Sequence, residues 1–209
     1  MKVINLNGPA MSGKDALAKE ICLNLHGEEI GVHVEFKEML IDIAIRTAGI
    51  NRELWNALYH RDYKEVPQPY FIVAGKQVSA RNWLIHISED VVKPVFGESV
   101  FGEALSKKLI DIEQSLPNYN VTFVISDGGF PDEAVPVINA SKGNFNLIKL
   151  SRKNQETGEY LNFDGDSRRY LSPEDFDPSL KFNYLEVENV NGDLSGTARK
   201  IIKLTSKGE

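Results

Sequence analysis

The residues best suited to chemistry lie at the start of the chain, where four residues separate Gly8 from Gly13-Lys14. An apolar run, Val3–Leu6, precedes this spacing, and a helix-prone run begins at Asp15. A strand, a glycine-containing loop and a helix in this order turn several backbone N–H groups toward one point at the positive end of a helix dipole. This geometry favours a polyphosphate, with the Lys14 ammonium on its outer phosphates. An ordinary glycine-rich turn is the alternative.

The loop departs from the common pattern at one position. Ser or Thr usually follows the lysine and binds Mg²⁺ through its hydroxyl, but Asp15 stands there. We predict that a nucleotide binds through its phosphates to this loop and the first helical residues. The predicted contacts are Gly8, Ala10, Met11, Ser12, Gly13, Lys14, Asp15 and Ala16.

A second carboxylate follows a later apolar run, Val121–Ser126, at Asp127. In a protein with a phosphate loop, an acidic residue at a strand end orders Mg²⁺ directly or through water. The sequence therefore predicts Asp15 and Asp127 as the metal-associated residues. A simple turn cap is the alternative for Asp127.

Arginine recognises a phosphate through two parallel hydrogen bonds. Arg81 lies in the first turn of a predicted helix, Ala80–Val92, and Arg61 precedes a Pro-rich turn at Pro67 and Pro69. We predict that both bind a second anionic substrate. The alternative is that each is a solvated surface charge.

The segment 151–177 has few apolar residues and carries basic residues near both ends: Arg152, Lys153, Arg168 and Arg169. A long loop of this kind is usually functional or disordered. We predict a lid that closes over phosphates and excludes water, and the alternative is a surface loop.

Two further groups of side chains give weaker indications. The four histidines, His26, His33, His60 and His86, show no metal-ligand spacing. Aromatic residues concentrate between residues 55 and 83, where they form either a small core or a stacking surface for a nucleobase: Trp55, Tyr59, Tyr70, Phe71 and Trp83.

Alternating strands and helices must position these residues. Apolar runs predict five buried strands: Lys2–Asn7, Val32–Phe36, Val121–Ser126, Asn146–Leu150 and Asn183–Glu188. Helical patterns lie between them: Asp15–Leu25, Lys37–Ala48, Arg52–Tyr59, Ala80–Val92, Glu98–Ser115, Pro131–Ala140 and Asp193–Leu204. This order predicts an α/β fold with a parallel, doubly wound sheet and one domain over residues 1–209. Residues 37–117 form a helical insertion over the sheet's carboxyl edge, where such folds bind ligands.

Composition limits the classes of protein. The chain has 209 residues and a net charge of −6, which argues against a broad nucleic-acid or anionic-membrane surface. Cys22 is the single cysteine, so no internal disulfide forms, and a reducing cytoplasm suits the chain. The first residues already form a strand, so we expect no signal peptide, and no apolar run approaches the length of a membrane span.

These residues resemble the phage deoxynucleoside monophosphate kinases, a family with the P-loop nucleoside monophosphate kinase fold. That family also has Ser-Gly-Lys-Asp in its loop. The similar segments occur in the family's order along most of the chain: Ser12–Asp15, Phe36–Leu40, Ser79–Leu84, Asp127–Glu133 and Asp166–Arg168.

The resemblance implies a five-stranded parallel sheet flanked by helices, with a helical substrate-binding insertion and a lid. It implies transfer of the ATP γ-phosphoryl group to a (deoxy)nucleoside monophosphate, with Mg²⁺. Catalytic roles would fall to Lys14, Asp15, Asp127, Arg152 and Arg168. Arg169 would join the ATP site, and the acceptor would contact Phe36, Arg61, Arg81 and Trp83.

Four positions depart from the family pattern. Gly129 replaces an arginine, Arg168 replaces a histidine, Ala80 replaces a proline and Ala16 replaces a threonine. The missing arginine favours a nucleotide-binding module without turnover as one alternative, and Arg168 is the residue that would compensate for it. A kinase for another small acceptor, such as phosphomevalonate, is a second alternative. We expect small-molecule partners only, leave a homodimer open, and expect a cytoplasmic location, in the host if a phage encodes the chain.

Overall fold

The computed structural model describes residues 1–165 and 168–206. The chain forms two compact units: Met1–Phe36 with the chain from Gly102 onward, and Lys37–Phe101. In chain order, the elements are β1 (Lys2–Asn7), α1 (Lys14–Leu23), β2 (Glu29–Val34), α2 (Glu38–Ala48), α3 (Arg52–Leu58), β3 (Pro67–Val73), β4 (Lys76–Ser79), α4 (Ala80–His86), α5 (Lys93–Phe96), α6 (Val100–Ser115), β5 (Asn120–Ile125), α7 (Pro131–Ser141), β6 (Phe145–Ser151), β7 (Asn183–Glu188) and α8 (Leu194–Thr205).

The first unit is built on a five-stranded parallel sheet with the order β2-β5-β1-β6-β7. The first strand lies in the centre and pairs with β5 on one side and β6 on the other. This order confirms the predicted α/β fold with helices flanking a parallel sheet. It also brings the loop after β1 and the turn after β5 to the same sheet edge, because the carboxyl ends of parallel strands meet there.

Side-chain alternation along β1 divides the first unit into two apolar cores. Val3 belongs to one core, which contains residues of α6 and α7, such as Leu109 and Val137. Ile4 and Leu6 belong to the other, which contains residues of α1 and α8. Successive side chains of a strand point to opposite faces, so one apolar strand supplies both cores.

The predicted strand boundaries are correct for β1 and β7 and shifted for β2. The second strand runs from Glu29 to Val34 rather than from Val32 to Phe36. It pairs only with β5, so it is an edge strand, and its first five residues are partly exposed. An edge strand needs no continuous apolar run, and the apolar pattern therefore marked only its second half.

The second unit, Lys37–Phe101, contains helices and a two-stranded antiparallel hairpin of β3 and β4. The sequence interpretation placed a turn at Pro67 and Pro69, but both lie in β3. Proline is tolerated in a strand that pairs on one side only. The predicted helix Ala80–Val92 is present as α4 followed by a π-helical turn, Ile87–Val92, which leads directly into α5. Pro94 is the second residue of α5, directly after the π-helical turn.

Two further properties of the fold bear on function. Cys22 lies on α1, and burial raises the pKa of its thiol to about 11. In the described part of the chain, no helix combines the length and the apolar character needed to cross a membrane.

Candidate phosphate-binding site

The loop that was predicted to bind phosphates connects β1 to α1. Met11 and Gly13 have positive φ angles, of 65° and 86°. Alternation of left-handed and right-handed residues turns successive N–H groups toward one point, which makes a concavity that binds anions. Gly13 precedes the first residue of α1, so the loop also lies at the positive end of that helix.

The Lys14 side chain folds back into this loop. Its ammonium donates to the backbone oxygen of Gly8 over 2.6 Å and to that of Pro9 over 2.7 Å. The residue is only 8% exposed. Lys14 therefore holds its charge inside the loop that was predicted to bind phosphates.

Gly13 lies against two polar side chains from a much later part of the sequence. A β-carbon at position 13 would lie 2.7 Å from Asn189 Nδ2 and 2.8 Å from Arg152 Nη1. A side chain here would displace the ends of these two side chains, and the φ angle of 86° itself favours glycine. The predicted residue Arg152 lies against the phosphate loop, although 138 positions separate it from Lys14 in the sequence.

Two asparagines hold this arrangement together. The side-chain amide of Asn189 donates to the backbone oxygen of Ser12 over 2.8 Å. Arg152 Nε donates to Asn191 Oδ1, also over 2.8 Å. Sequence reasoning missed both residues. The available signal was a pair of asparagines, Asn189-Val190-Asn191, directly after an apolar strand.

Asp127, which was predicted as a magnesium-associated carboxylate, is the second residue after β5. Its Oδ1 accepts the backbone N–H of Phe36 over 2.9 Å. Phe36 is buried in the first unit's core. Asp127 therefore fixes the chain after β2, and its metal role and the substrate role of Phe36 stay predictions.

The exposed carboxylate of Asp15 lies close to His33 and Glu35. Each residue offers one ligand atom, and these three atoms lie within 4.8 Å of one another. His33 was predicted to have no metal-ligand spacing, and Glu35 was not considered. The grouping arises because the end of β2 lies beside the start of α1, which the spacing of residues cannot reveal.

Arg168 and Arg169 lie in the segment predicted as a lid. The Arg168 side chain packs against Gly129, whose β-carbon would lie 2.7 Å from Arg168 Cβ. Arg169 Nη2 forms an ion pair with Asp175 Oδ1 at 2.6 Å, and this hydrogen bond holds the pKa of the Asp175 carboxyl below its usual range. Asp166 and Ser167, the rest of the family's lid element, lie outside the described residues.

The predicted lid contains an anchored part and an exposed part. The Leu171 N–H donates to Asn7 Oδ1 over 2.7 Å, and Asn7 Nδ2 donates to the Arg169 oxygen over 2.9 Å. Leu171 and Phe176 are buried in the core. Residues 153–160 instead form a small surface turn closed by an antiparallel bridge between Lys153 and Tyr160.

The remaining predicted substrate residues belong to the second unit. Arg81 forms an ion pair with Glu65 at 3.3 Å, while Arg61 is exposed. Trp83 is 9% exposed, stacks on Phe71, and donates its indole N–H to the Ala44 oxygen over 3.0 Å. Trp83 thus helps to form the unit's aromatic core. The acceptor-binding roles of Arg61, Arg81 and Trp83 stay predictions.

This chain is similar to a protein of known structure. No protein-family model matches the chain, and no curated protein sequence matches it. Among solved structures, the chain is similar to a gluconokinase from Sinorhizobium meliloti 1021, with a TM-score of 0.42 and 12% sequence identity. The similarity covers 98% of this chain and 91% of the gluconokinase. At this level the likeness identifies neither a shared acceptor nor a shared activity.

Proposed function

We propose that the chain is a phosphotransferase that moves the γ-phosphoryl group of ATP to the phosphate of a (deoxy)nucleoside monophosphate. The observation that carries the proposal is the arrangement at the carboxyl edge of β1. A loop shaped for anions holds the Lys14 ammonium, and the guanidinium of Arg152 lies against Gly13. Two cations beside one phosphate loop can stabilise a charged group during its transfer, which favours a catalytic role for them over a purely structural one.

The reaction needs positioning and charge rather than covalent chemistry. A phosphate oxygen of the acceptor forms the new bond to the γ-phosphorus, and the bond to the ADP oxygen breaks. The acceptor phosphate is already anionic, so no general base is needed. Mg²⁺ would supply Lewis-acid stabilisation of the phosphate oxygens, ordered by Asp15 and Asp127.

The loop and four arginines have distinct roles in this proposal. The loop from Gly8 to Asp15 binds the ATP phosphates, and Lys14 stabilises charge on the β- and γ-phosphates. Arg152 and Arg168 stabilise the transferring group. Arg81, with Arg61, binds the phosphate of the acceptor.

The test is a screen for ADP release over all ribo- and deoxyribonucleoside monophosphates, with the phosphorylated product identified by ³¹P NMR. A nucleoside diphosphate is the expected product, and Lys14→Met should abolish it. Lys19→Met, an exposed lysine on α1, is the matched control and should leave the rate unchanged.

Two other results would overturn the proposal. Phosphorylation of a different small molecule, with phosphomevalonate in the panel, would identify a kinase for another acceptor. Tight ATP binding without any product would identify a nucleotide-binding module without turnover.

A further inference from the structure

We infer that Asp15, His33 and Glu35 form a binding site for a divalent transition-metal ion, which the chain holds without a nucleotide. The inference deepens the proposed function, because Asp15 directly follows Lys14 at the phosphate loop. The role of the ion in phosphoryl transfer rests on that proposal. The binding of the ion does not.

The fold places these three residues together for a simple reason. His33 and Glu35 are two residues apart at the end of β2, so their side chains emerge on the same side of the extended chain. His33 pairs in register with Val124 of β5, and Val124 belongs to the core that α1 covers. Asp15 lies in the first turn of α1, on that same face of the sheet.

The distances are close to those of a coordinated ion. The three ligand atoms lie within 4.8 Å of one another. Two ligands at about 2.1 Å from one ion lie about 3 Å apart at a right angle and at most about 4.2 Å apart, so a pair at the 4.8 Å limit must close by between about 0.6 and about 1.8 Å. Asp15 is exposed and the other two side chains are half-buried, so small rotations can close this gap and water can complete the coordination.

A buried hydroxyl orients two of the three ligands. Ser126, which is 1% exposed, places its Oγ 2.8 Å from His33 Nε2 and 3.5 Å from Glu35 Oε1. Outer contacts of this kind fix the ring orientation of a metal-binding histidine and support its affinity. The link also distinguishes the group from a chance cluster of surface acids, because its histidine is held by a buried residue that directly follows the neighbouring strand β5.

The donor set indicates which ions fit. Two carboxylates and one imidazole suit Mn²⁺ and the later first-row ions, which accept nitrogen ligands readily. Mg²⁺ prefers a shell of oxygen atoms and retains most of its water. We therefore expect the site to bind Mn²⁺ more tightly than Mg²⁺ in the absence of nucleotide.

The experiment is a Mn²⁺ titration of the full, nucleotide-free chain followed by electron paramagnetic resonance. The expected result is one bound ion per chain, with a pulsed-resonance nitrogen modulation from the imidazole. His33→Gln should remove that modulation. His33→Gln and Glu35→Gln should each weaken binding by at least about tenfold. The matched controls, His26→Gln and Glu28→Gln, alter exposed residues before β2 and should bind like the unaltered chain.

Two results would overturn the site. One is a free-ion spectrum of the unaltered chain up to about 1 mM Mn²⁺, and the other is unchanged nitrogen modulation in His33→Gln. The nitrogen signal of the unaltered chain keeps the test valid even if a variant fails to fold. Failure here is distinguishable from failure of the proposed function, because the ADP-release screen uses Mg²⁺. Turnover without Mn²⁺ binding would contradict only the metal site. Mn²⁺ binding without turnover would contradict only the proposed kinase activity.

Discussion

The side chain of Arg168 occupies the space directly over Gly129. A β-carbon on Gly129 would lie 2.7, 2.8 and 2.9 Å from Arg168 Cβ, Cγ and Cδ. The resembled family has an arginine at position 129, where this chain has no side chain. The glycine therefore leaves room for an arginine from a distant segment, and Arg168 brings its stem to the end of β5.

We predict that Gly129→Ala lowers turnover about as much as Arg168→Ala, because the new methyl group must displace the arginine stem. A double-mutant cycle measures this coupling. If the two changes act through one displaced side chain, the double variant should be no slower than either single variant. Additive losses in kcat would show that Gly129 and Arg168 act independently.

Lys14→Met should reduce the rate to less than a tenth of that of the unaltered chain, a cost of at least about 1.4 kcal/mol in the barrier. The free energy of unfolding should fall by about 2 kcal/mol at most, since the two short contacts removed are hydrogen bonds to loop oxygens, each worth about 1 kcal/mol. Turnover and a thermal melt measure the two effects. Lys14→Arg should not restore the rate, because a planar guanidinium does not fit where the compact ammonium lies. Retained activity in either variant would contradict the assigned role.

Asp127 offers a way to separate a structural role from a metal role. In Asp127→Asn, an amide oxygen can still accept the Phe36 N–H, so the melting temperature should change little. The lost charge should raise the Mg²⁺ concentration needed for half-maximal rate. Asp127→Ala should in addition destabilise the fold by about 1–3 kcal/mol, because the Phe36 N–H loses its acceptor. Overlapping Mg²⁺ titrations for the Asn variant and the unaltered chain would reduce Asp127 to a turn cap.

Arg81→Ala should raise the KM for the nucleoside monophosphate far more than the KM for ATP. The physical reason is the loss of a guanidinium that binds the acceptor phosphate, while the ATP phosphates keep the loop around Lys14. Glu65→Gln is the control, since it removes the ion-pair partner of Arg81 and keeps the arginine. An equal or larger change in the KM for ATP would contradict the assignment of Arg81 to the acceptor phosphate.

The two parts of the predicted lid should respond differently to ligand. A bisubstrate analogue that joins adenosine to a nucleoside through a phosphate chain should slow hydrogen exchange in residues 153–160. ATP alone should slow it less. The Leu171 amide should be protected in every state, because it is buried and bonded to Asn7. Equal exchange in residues 153–160 with and without the analogue would identify a simple surface loop.

Much of the first unit could be predicted because its chemistry is local. The central strand β1 carries Val3, Ile4 and Leu6, and the loop after it carries its signal within eight residues, from Gly8 to Asp15. The bounds of β1 and β7 were correct for the same reason. The hairpin of β3 and β4 was missed because Pro67 and Pro69 indicate a turn, and only the pairing partner shows that a proline-containing strand is tolerated.

The contacts that complete the candidate site are not local and could not be predicted. Asn189 meets Ser12 across 177 positions, and Gly129 meets Arg168 across 39. His33 and Glu35 join Asp15 only because β2 ends beside α1. Such contacts follow from strand order, which a single sequence constrains weakly, whereas a loop motif follows from its own residues.

The half-buried thiol of Cys22 has a practical consequence. With a pKa of about 11, only about one molecule in ten thousand carries a thiolate there at pH 7, so maleimide reagents will react with it very slowly. A cysteine introduced in place of the exposed residue Gln155 would then take a fluorescent label selectively, without replacement of Cys22. The fold thus provides a background in which the movement of the surface turn can be followed by single-site spectroscopy.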